Sequence, residues 1–167
     1  MFVLSREGLR YSLLVWCTLI ACNARADSTS SEFSPQVWIN PGIYSQHFDR
    51  SKNLRNNNAG LGAEVALTKD HGFMVGTYIN SNRAHSNYGT YVWRPLHWNA
   101  LGLNVSAGLA AGAFDGYPNY RNGGWFLAAL PVLSIEGERV GVNLSILPTI
   151  PNRIDGAIAI QFKLRIW

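Results

Sequence analysis

Hydrophobic and polar residues alternate along most of the chain after residue 35, and turn residues interrupt this alternation at short intervals. Alternation with a period of two is typical of strands whose two faces meet different surroundings. Two predicted connections are short, TKDHG and EGER, and two are long, DRSKNLRNNN and FDGYPNYRNGG, an arrangement typical of outer-membrane barrels. The pattern predicts an all-β fold with eight strands, near residues 36–48, 59–68, 72–81, 87–94, 100–113, 124–134, 140–148 and 157–167.

The fifth predicted strand helps to distinguish a membrane barrel from a soluble eight-stranded barrel. One face consists of leucine, valine and alanine, and the other consists of small residues without charge. A surface in water normally carries charge, so the small face suits a narrow lumen and the leucine face suits lipid. In the last strand, Ile158, Phe162 and Leu164 alternate with Gln161 and Lys163 in the same way. The sequence therefore favours an eight-stranded antiparallel up-and-down transmembrane β-barrel.

Aromatic residues lie near the predicted strand ends, where membrane barrels carry an interfacial girdle. In a soluble barrel the same side chains would pack in the core. We interpret seven of them as a girdle: Trp38, Trp93, Trp98, Tyr117, Tyr120, Trp125 and Trp167.

The N-terminal segment predicts export. Arg6 and Arg10 precede an apolar run, residues 11–21, which is too short to cross a bilayer and suits a secretory signal peptide. The sequence Ala-Arg-Ala at 24–26 is a cleavage site, and an alternative is lipidation of Cys22 in the sequence LIAC. We expect a signal peptide over 1–26, a short polar segment over 27–35 and the barrel over 36–167, located in the outer membrane.

Composition excludes several classes of function. The net charge is +4, and the chain after residue 26 has 11 basic and 9 acidic residues, which is no nucleic-acid footprint. Both cysteines, Cys17 and Cys22, precede the barrel, so we expect no disulfide and no thiolate metal site there. The four histidines have no metal-ligand spacing. We expect a monomer that uses no metal or other cofactor.

Four segments resemble the lipid A palmitoyltransferase (PagP-like) family of Gram-negative outer membranes: INSNRAHSNYGTYVWRPL, LGLNVSAGLAAGAFDGYPNY, ALPVLSIEGERVGVNLSILP and the closing strand. The resemblance spans about Trp38 to Trp167. It implies an outer-membrane barrel that moves an acyl chain from a phospholipid to lipid A, with these two lipids as partners. The family places an amphipathic helix before its first strand, whereas residues 27–36, DSTSSEFSPQ, are too short and polar for one.

Three prolines, Pro41, Pro131 and Pro148, fall inside predicted strands. Proline cannot donate to a β-ladder, and a closed barrel has no edge strand to accommodate it. These residues therefore predict local gaps in the wall, which the resemblance implies are lateral gates for acyl chains. Strand starts or bulges at the rim are the alternative interpretation.

The resemblance also implies a catalytic site at the outer ends of the first and third strands. The family uses a histidine in the first and an Asp-Ser pair in the third. Here Ser81 matches the serine, Asn80 stands at the aspartate, and His47 is the histidine of the first strand, one or two positions out of register. An asparagine can orient a histidine but cannot stabilise its charged form as a carboxylate does. We therefore expect weakened or rearranged catalysis.

The pair His85-Ser86 suggests a different activity, because outer-membrane lipid A deacylases carry a histidine and a serine near an HxSN pattern. Here the two residues are adjacent, and adjacent strand side chains point to opposite faces. A polar loop is therefore the favoured interpretation of this segment.

The first long loop contains Arg50, Lys52 and Arg55. Such cations suit the phosphates of lipopolysaccharide, and a generic polar loop is the alternative. Two functions stay open. The strand prolines favour a phospholipid–lipid A acyltransferase, whereas the missing aspartate favours a non-catalytic barrel that binds an acyl chain or lipopolysaccharide.

Overall fold

The structure, a computed structural model, describes residues 33–167, and the predicted signal peptide and its cleavage site lie outside the described residues. Eight antiparallel strands pair in chain order, and β1 pairs with β8 to close a barrel. Within residues 33–167, no helix has the length and apolar character needed to span a membrane. A 3₁₀ turn covers Arg121–Gly123. The strands are β1 (Gln36–His47), β2 (Asn57–Ala66), β3 (His71–Ile79), β4 (His85–Ala100), β5 (Leu103–Phe114), β6 (Phe126–Glu136), β7 (Val140–Leu147) and β8 (Ala157–Arg165).

The connections between strands confirm the predicted alternation of short and long segments. We call the end of the barrel with the short turns the turn rim and the opposite end the loop rim. The turns cover 67–70, 101–102 and 137–139, and the loops cover 48–56, 80–84, 115–125 and 148–156. The first strand ends at the loop rim, so the predicted catalytic residues of the first and third strands belong to that rim.

The fourth strand differs most from its prediction, because it continues through Pro95 to Ala100 instead of ending at residue 94. The β4–β5 register shifts between Trp93 and Leu96, and the β3–β4 ladder ends at the pair His71–Trp93. Pro95 therefore lies in a bulge and has no partner in β3. A bulge is a position where a strand accommodates proline.

Two smaller differences concern predicted site residues. The third strand ends at Ile79, so Asn80 and Ser81 lie in the following turn and not in the strand. The seventh strand ends at Leu147, so Pro148 follows the strand instead of lying inside it.

The predicted faces of the eighth strand are confirmed, and those of the fifth strand are confirmed except next to the turn rim, where Val105 is buried and Asn104 is exposed. Leu103 and Leu109 are exposed on the outside of β5, whereas Ser106 and Ala110 are buried. In β8, Lys163 is buried and its neighbours Phe162 and Leu164 are exposed. Two glycines leave room in the lumen for the Tyr88 side chain. A Cβ at Gly62 would lie 2.4 Å from the Tyr88 hydroxyl, and a Cβ at Gly76 would lie 2.6 Å from it.

Charged side chains fill the half of the lumen next to the turn rim, which we call the turn half. Lys163 Nζ lies 2.9 Å from Glu64 Oε2 and 2.6 Å from Glu136 Oε1. Arg94 Nη1 lies 2.9 Å from Glu64 Oε1 and 3.5 Å from Glu136 Oε1. Two carboxylates thus alternate with two cations around one ring of contacts. Such pairing is the condition under which a protein interior holds charge.

The predicted girdle is wrong at Trp38, which is 0% exposed inside the turn half. Its ring lies 4.8 Å from Lys163 Nζ and 5.5 Å from Arg165 Cζ, within cation–π distance. Trp38 has the inward phase of the β1 alternation, which proximity to a strand end does not reveal. The other four tryptophans of the proposed girdle are exposed: Trp93, Trp98, Trp125 and Trp167.

Candidate functional site

The half of the lumen next to the loop rim, the loop half, encloses an apolar cavity of about 350 Å³. This volume lies within the range of about 300–1,000 Å³ for small-molecule sites. Met74, Tyr78 and Val132 belong to the packed cluster around it. The floor is polar, because Gln161 Nε2 donates to the Tyr88 hydroxyl at 3.1 Å and both residues line the cavity. The cavity therefore stands directly on the polar network of the turn half.

Aromatic side chains from the loop 115–125 cover the cavity. Tyr120 and Tyr117 pack edge-on against Phe126, at ring distances of 4.7 and 5.8 Å. The Tyr117 hydroxyl lies 2.9 Å from that of Tyr78, and burial raises the pKa of Tyr117. Tyr117 and Tyr120 were predicted as girdle residues, but their rings pack over the cavity at its loop-rim end.

The cavity reaches the outer face of the barrel between β6 and β7. These strands pair only from Val132–Ser145 to Glu136–Gly141, whereas β5 pairs along all of β6. In the described part of the chain, residues 126–131 therefore have no partner in β7. The consecutive residues 127–130 all line the cavity, although successive strand side chains point to opposite faces. The cavity thus wraps around an unpaired strand edge, which we call the lateral opening.

Two of the three predicted gate prolines lie at this lateral opening. Pro131 is the first residue of β6 beyond the β6–β7 ladder, and Pro148 directly follows the end of β7 and lines the cavity. Neither residue has an N–H group, so an unpaired edge at these positions leaves fewer backbone donors without a partner. Pro41 lies elsewhere, at a shift of the β1–β2 register between Asn40 and Gly42.

His47 lies at the loop rim and is buried, with 7% of its surface exposed. Its Nδ1 atom is 3.3 Å from Oδ1 of Asn56, which lies at the end of the first long loop. Ser45 shares the strand face of His47 and lines the cavity. The predicted catalytic histidine therefore lies at the loop rim, on the same strand face as a residue that lines the cavity, with an asparagine as its partner.

Asn80 is fully buried, and both its amide nitrogen and its amide oxygen form hydrogen bonds within the loop rim. Its Nδ2 group donates to Ser86 Oγ at 2.9 Å and to the Gly116 carbonyl at 2.7 Å. Its Oδ1 atom accepts the backbone N–H groups of Asn82 and Ala84 at 2.9 and 3.1 Å. Asn80 thus joins the loop 80–84 to the loop 115–125 that covers the cavity. Neither His47 nor Ser81 is among its hydrogen-bond partners.

Ser81 lies in the same turn and is half-buried. Its carbonyl accepts the backbone N–H of Arg55 at 3.0 Å, and the next residue, Asn56, contacts His47. One short segment of the first loop therefore contacts both predicted catalytic residues. Within residues 33–167 no hydrogen bond joins the Ser81 and His47 side chains directly.

The alternative pair, His85 and Ser86, lies on opposite faces. His85 is exposed and its Nε2 atom lies 2.7 Å from Thr77 Oγ1, whereas Ser86 is fully buried against Asn80. The expectation that these adjacent residues point apart is confirmed.

The three predicted lipopolysaccharide-binding cations have different surroundings. Lys52 Nζ lies 2.5 Å from Asp155 Oδ1, and this carboxylate raises the pKa of Lys52. The Arg55 guanidinium donates to the carbonyl of Asn57. Arg50 is exposed and forms no ion pair in the described part of the chain. Binding of lipopolysaccharide by these residues stays a prediction.

Sequence reasoning missed several residues of the site. Asn56 gives no signal in an asparagine-rich loop, and the role of Phe126 depends on ring contacts across the lumen. Glu64 could have been found, because it shares a strand face with Gly62 and Ala66 and so has the inward phase of β2. A charge on that face predicts partners in the lumen.

In comparisons with known proteins, no family model and no curated sequence matches this chain. The similarity to the lipid A palmitoyltransferase family therefore stays a prediction from the quoted segments.

Proposed function

We propose that the protein is an outer-membrane barrel whose lumen binds one acyl chain of a membrane lipid. The membrane location is supported by the outer face of the strands. The charged residues within the eight strands all belong to the lumen, and Leu61, Val75 and Phe162 are more than half exposed on the outside. Charge on a lipid-facing surface destabilises a barrel and charge in the lumen does not. The five charged strand residues are Glu64, Arg94, Glu136, Lys163 and Arg165.

The observation that carries the proposal is the apolar cavity that wraps around the unpaired edge of β6. The apolar chain of a lipid matches the apolar lining of the cavity. A lipid in the surrounding bilayer also lies beside the wall of the barrel, so it can reach the cavity through the lateral opening. An opening in the wall exposes backbone groups, which is costly in lipid, and the prolines at 131 and 148 reduce that cost.

The experiment compares two neighbouring alanines. Ala110 is buried and lines the cavity, whereas Ala111 lies on the outside of the same strand. Purified protein in an uncharged detergent should bind a pyrene-labelled diacylglycerol. We expect Ala110→Leu to weaken this binding by about tenfold or more, about 1.4 kcal/mol, because the added carbons occupy the cavity. Ala111→Leu should leave it unchanged. Absence of binding by the wild type, or equal effects of both substitutions, would contradict the proposal.

Acyl transfer from a phospholipid to lipid A is a second candidate function. It is favoured by the position of His47 and Ser81, which both contact the segment Arg55–Asn56 at the loop rim. In this reaction His47 accepts the proton of the lipid A hydroxyl as that oxygen attacks the ester carbonyl. The lysophospholipid oxygen then leaves and takes the proton, so the acyl group is exchanged without a cofactor.

Transfer of a labelled acyl chain to lipid A in detergent tests this second function. We expect His47→Ala and Ser81→Ala to abolish product formation. His85→Ala is the matched control, because His85 is an exposed histidine of the same rim. If wild-type protein forms no product above an empty-vector preparation, the acyl-binding barrel is the better account.

A further inference from the structure

Positive charge is concentrated on the loop rim. Its loops carry three acidic residues, Asp49, Asp115 and Asp155. The turns of the opposite rim carry two cations, Lys69 and Arg139, with Asp70 and Glu138 as counter-charges. The loop rim carries six cations: Arg50, Lys52, Arg55, Arg83, Arg121 and Arg153.

The acidic residues of the loop rim already have local partners. Ser51 donates to Asp49, Asn87 donates to Asp115, and Lys52 pairs with Asp155. In the described part of the chain, the five arginines of this rim therefore form no ion pair with a carboxylate. Arginine presents a planar fork of donors that matches phosphate oxygens, so an arginine-rich rim without counter-charges suits a phosphate.

Two of these arginines flank the lateral opening. Arg121 lies in the loop that leads into β6, and its Nη1 donates to the Trp125 carbonyl at 3.2 Å. Arg153 lies in the loop that follows β7, and its guanidinium carbon is 5.7 Å from the ring of Tyr120. Tyr120 and Ile154 line the cavity. Each strand edge of the opening therefore continues into a loop that carries an exposed arginine.

We propose that Arg121 and Arg153 bind the phosphate of the lipid whose acyl chain occupies the cavity. This inference rests on the proposed acyl-binding function and adds a preference for a phosphate-bearing headgroup. A lipid that enters from the side keeps its headgroup at the level of the loop rim while one chain lies in the lumen. The phosphate then meets the two guanidinium groups, and the chain meets the apolar wall.

The test measures displacement of the pyrene-labelled diacylglycerol by two lipids with the same chains, dipalmitoyl phosphatidic acid and dipalmitoylglycerol. We expect the phosphate-bearing lipid to displace the probe from wild-type protein at a concentration lower by about tenfold or more, because hydrogen bonds to charged groups are the stronger class. In the double variant Arg121→Gln, Arg153→Gln the two lipids should become equivalent. Arg153→Lys, which keeps the charge but not the fork, should retain part of the preference.

The matched control is Lys69→Gln, Arg139→Gln, which removes two charges from the turn rim and should keep the full preference. The single variant Arg121→Gln leaves the contact of Arg153 with Tyr120 in place. It should lose part of the preference for the phosphate-bearing lipid. Equal displacement by both lipids on the wild type would overturn the headgroup site while leaving acyl binding intact. Loss of the preference in the control, or displacement by inorganic phosphate alone, would also overturn it. If the probe does not bind at all, the acyl-binding function fails, and this inference fails with it.

Discussion

The two halves of the lumen differ in what they bury. The turn half contains two carboxylates and two cations that contact one another, whereas the loop half encloses an apolar cavity under aromatic side chains. A buried charge depends on its partners, so the ring cannot lose a member without a large loss of stability. An apolar cavity lacks only packing contacts. The turn half is therefore suited to rigidity and the loop half to binding.

Breaking the ring should have the largest effect. Lys163→Met leaves Glu64 and Glu136 with Arg94 alone, and we expect it to lower the free energy of unfolding by about 3–5 kcal/mol. Urea-induced unfolding in detergent, followed by tryptophan fluorescence, measures the change. Lys69→Met on the exposed turn rim is the control, and it should leave the unfolding midpoint close to the wild type. Similar losses in both variants would mean that the ring has no special role.

Asn80 tests whether the loop half depends on hydrogen bonds instead of ion pairs. In Asn80→Asp a carboxylate oxygen replaces the group that donates to the Gly116 carbonyl and Ser86. We expect a loss of about 1–3 kcal/mol, because the buried Gly116 carbonyl then faces a carboxylate oxygen without a donor between them. The same unfolding assay measures it, with Ser81→Ala as the control. A gain in acyl transfer without loss of stability would instead support the role that the resemblance implies for this position.

A disulfide across the lateral opening would sharpen the comparison by closing the loop half. Leu130 and Leu147 would face each other if the β6–β7 ladder continued beyond Val132–Ser145. With both leucines changed to cysteine, we expect oxidation to slow exchange of the bound acyl probe by about tenfold, equivalent to about 1.4 kcal/mol of activation free energy. Reduction should restore the wild-type rate.

The control for that disulfide joins Leu133 and Leu144, which already pair within the ladder. Oxidation of this second cysteine pair should leave the exchange rate unchanged. Equal slowing by both disulfides would point to rigidity of the barrel and not to the opening as the determinant of exchange.

The smallest effect concerns the aromatic cover of the cavity. Tyr117→Phe removes the hydrogen bond to Tyr78 and should cost about 0.5–1.5 kcal/mol. Burial raises the pKa of Tyr117. The stabilisation of the folded state by the neutral Tyr117 hydroxyl is therefore fully present below about pH 10 and is lost as the pH rises further. The stability difference between wild type and variant should therefore shrink in alkaline urea titrations. Tyr44→Phe, on the exposed outside of β1, is the control at neutral pH and should leave the stability close to the wild type.

The fold could be predicted from the sequence because alternation is a local property. In β8 and in most of β5, a residue's face follows from its phase, and the small face of β5 indicated a narrow lumen. The fourth strand was predicted to end at residue 94, although it continues through Pro95 to Ala100. Pro95 lies in a bulge of the β4–β5 ladder, and a bulge depends on the partner strand.

The site could be predicted only in part. The sequence pattern identified Pro131 and Pro148 as residues that interrupt pairing, and the resemblance implied that His47 and Ser81 lie at one rim. It did not determine that both prolines border the same opening, because this depends on how far β6 and β7 pair. It also did not reveal that the Asn80 amide is fully used within its own turn and loop.

The sequence by itself determined the number and order of the strands, most of their faces and the alternation of turns and loops, since these depend on neighbours in the chain. Only the tertiary structure decided which side chains meet across the lumen. Lys163 and Glu64 are 99 positions apart and lie 2.9 Å from each other. Closure of the barrel between β1 and β8 brings the two strands together, and the low polarity of the interior then makes their pairing obligatory.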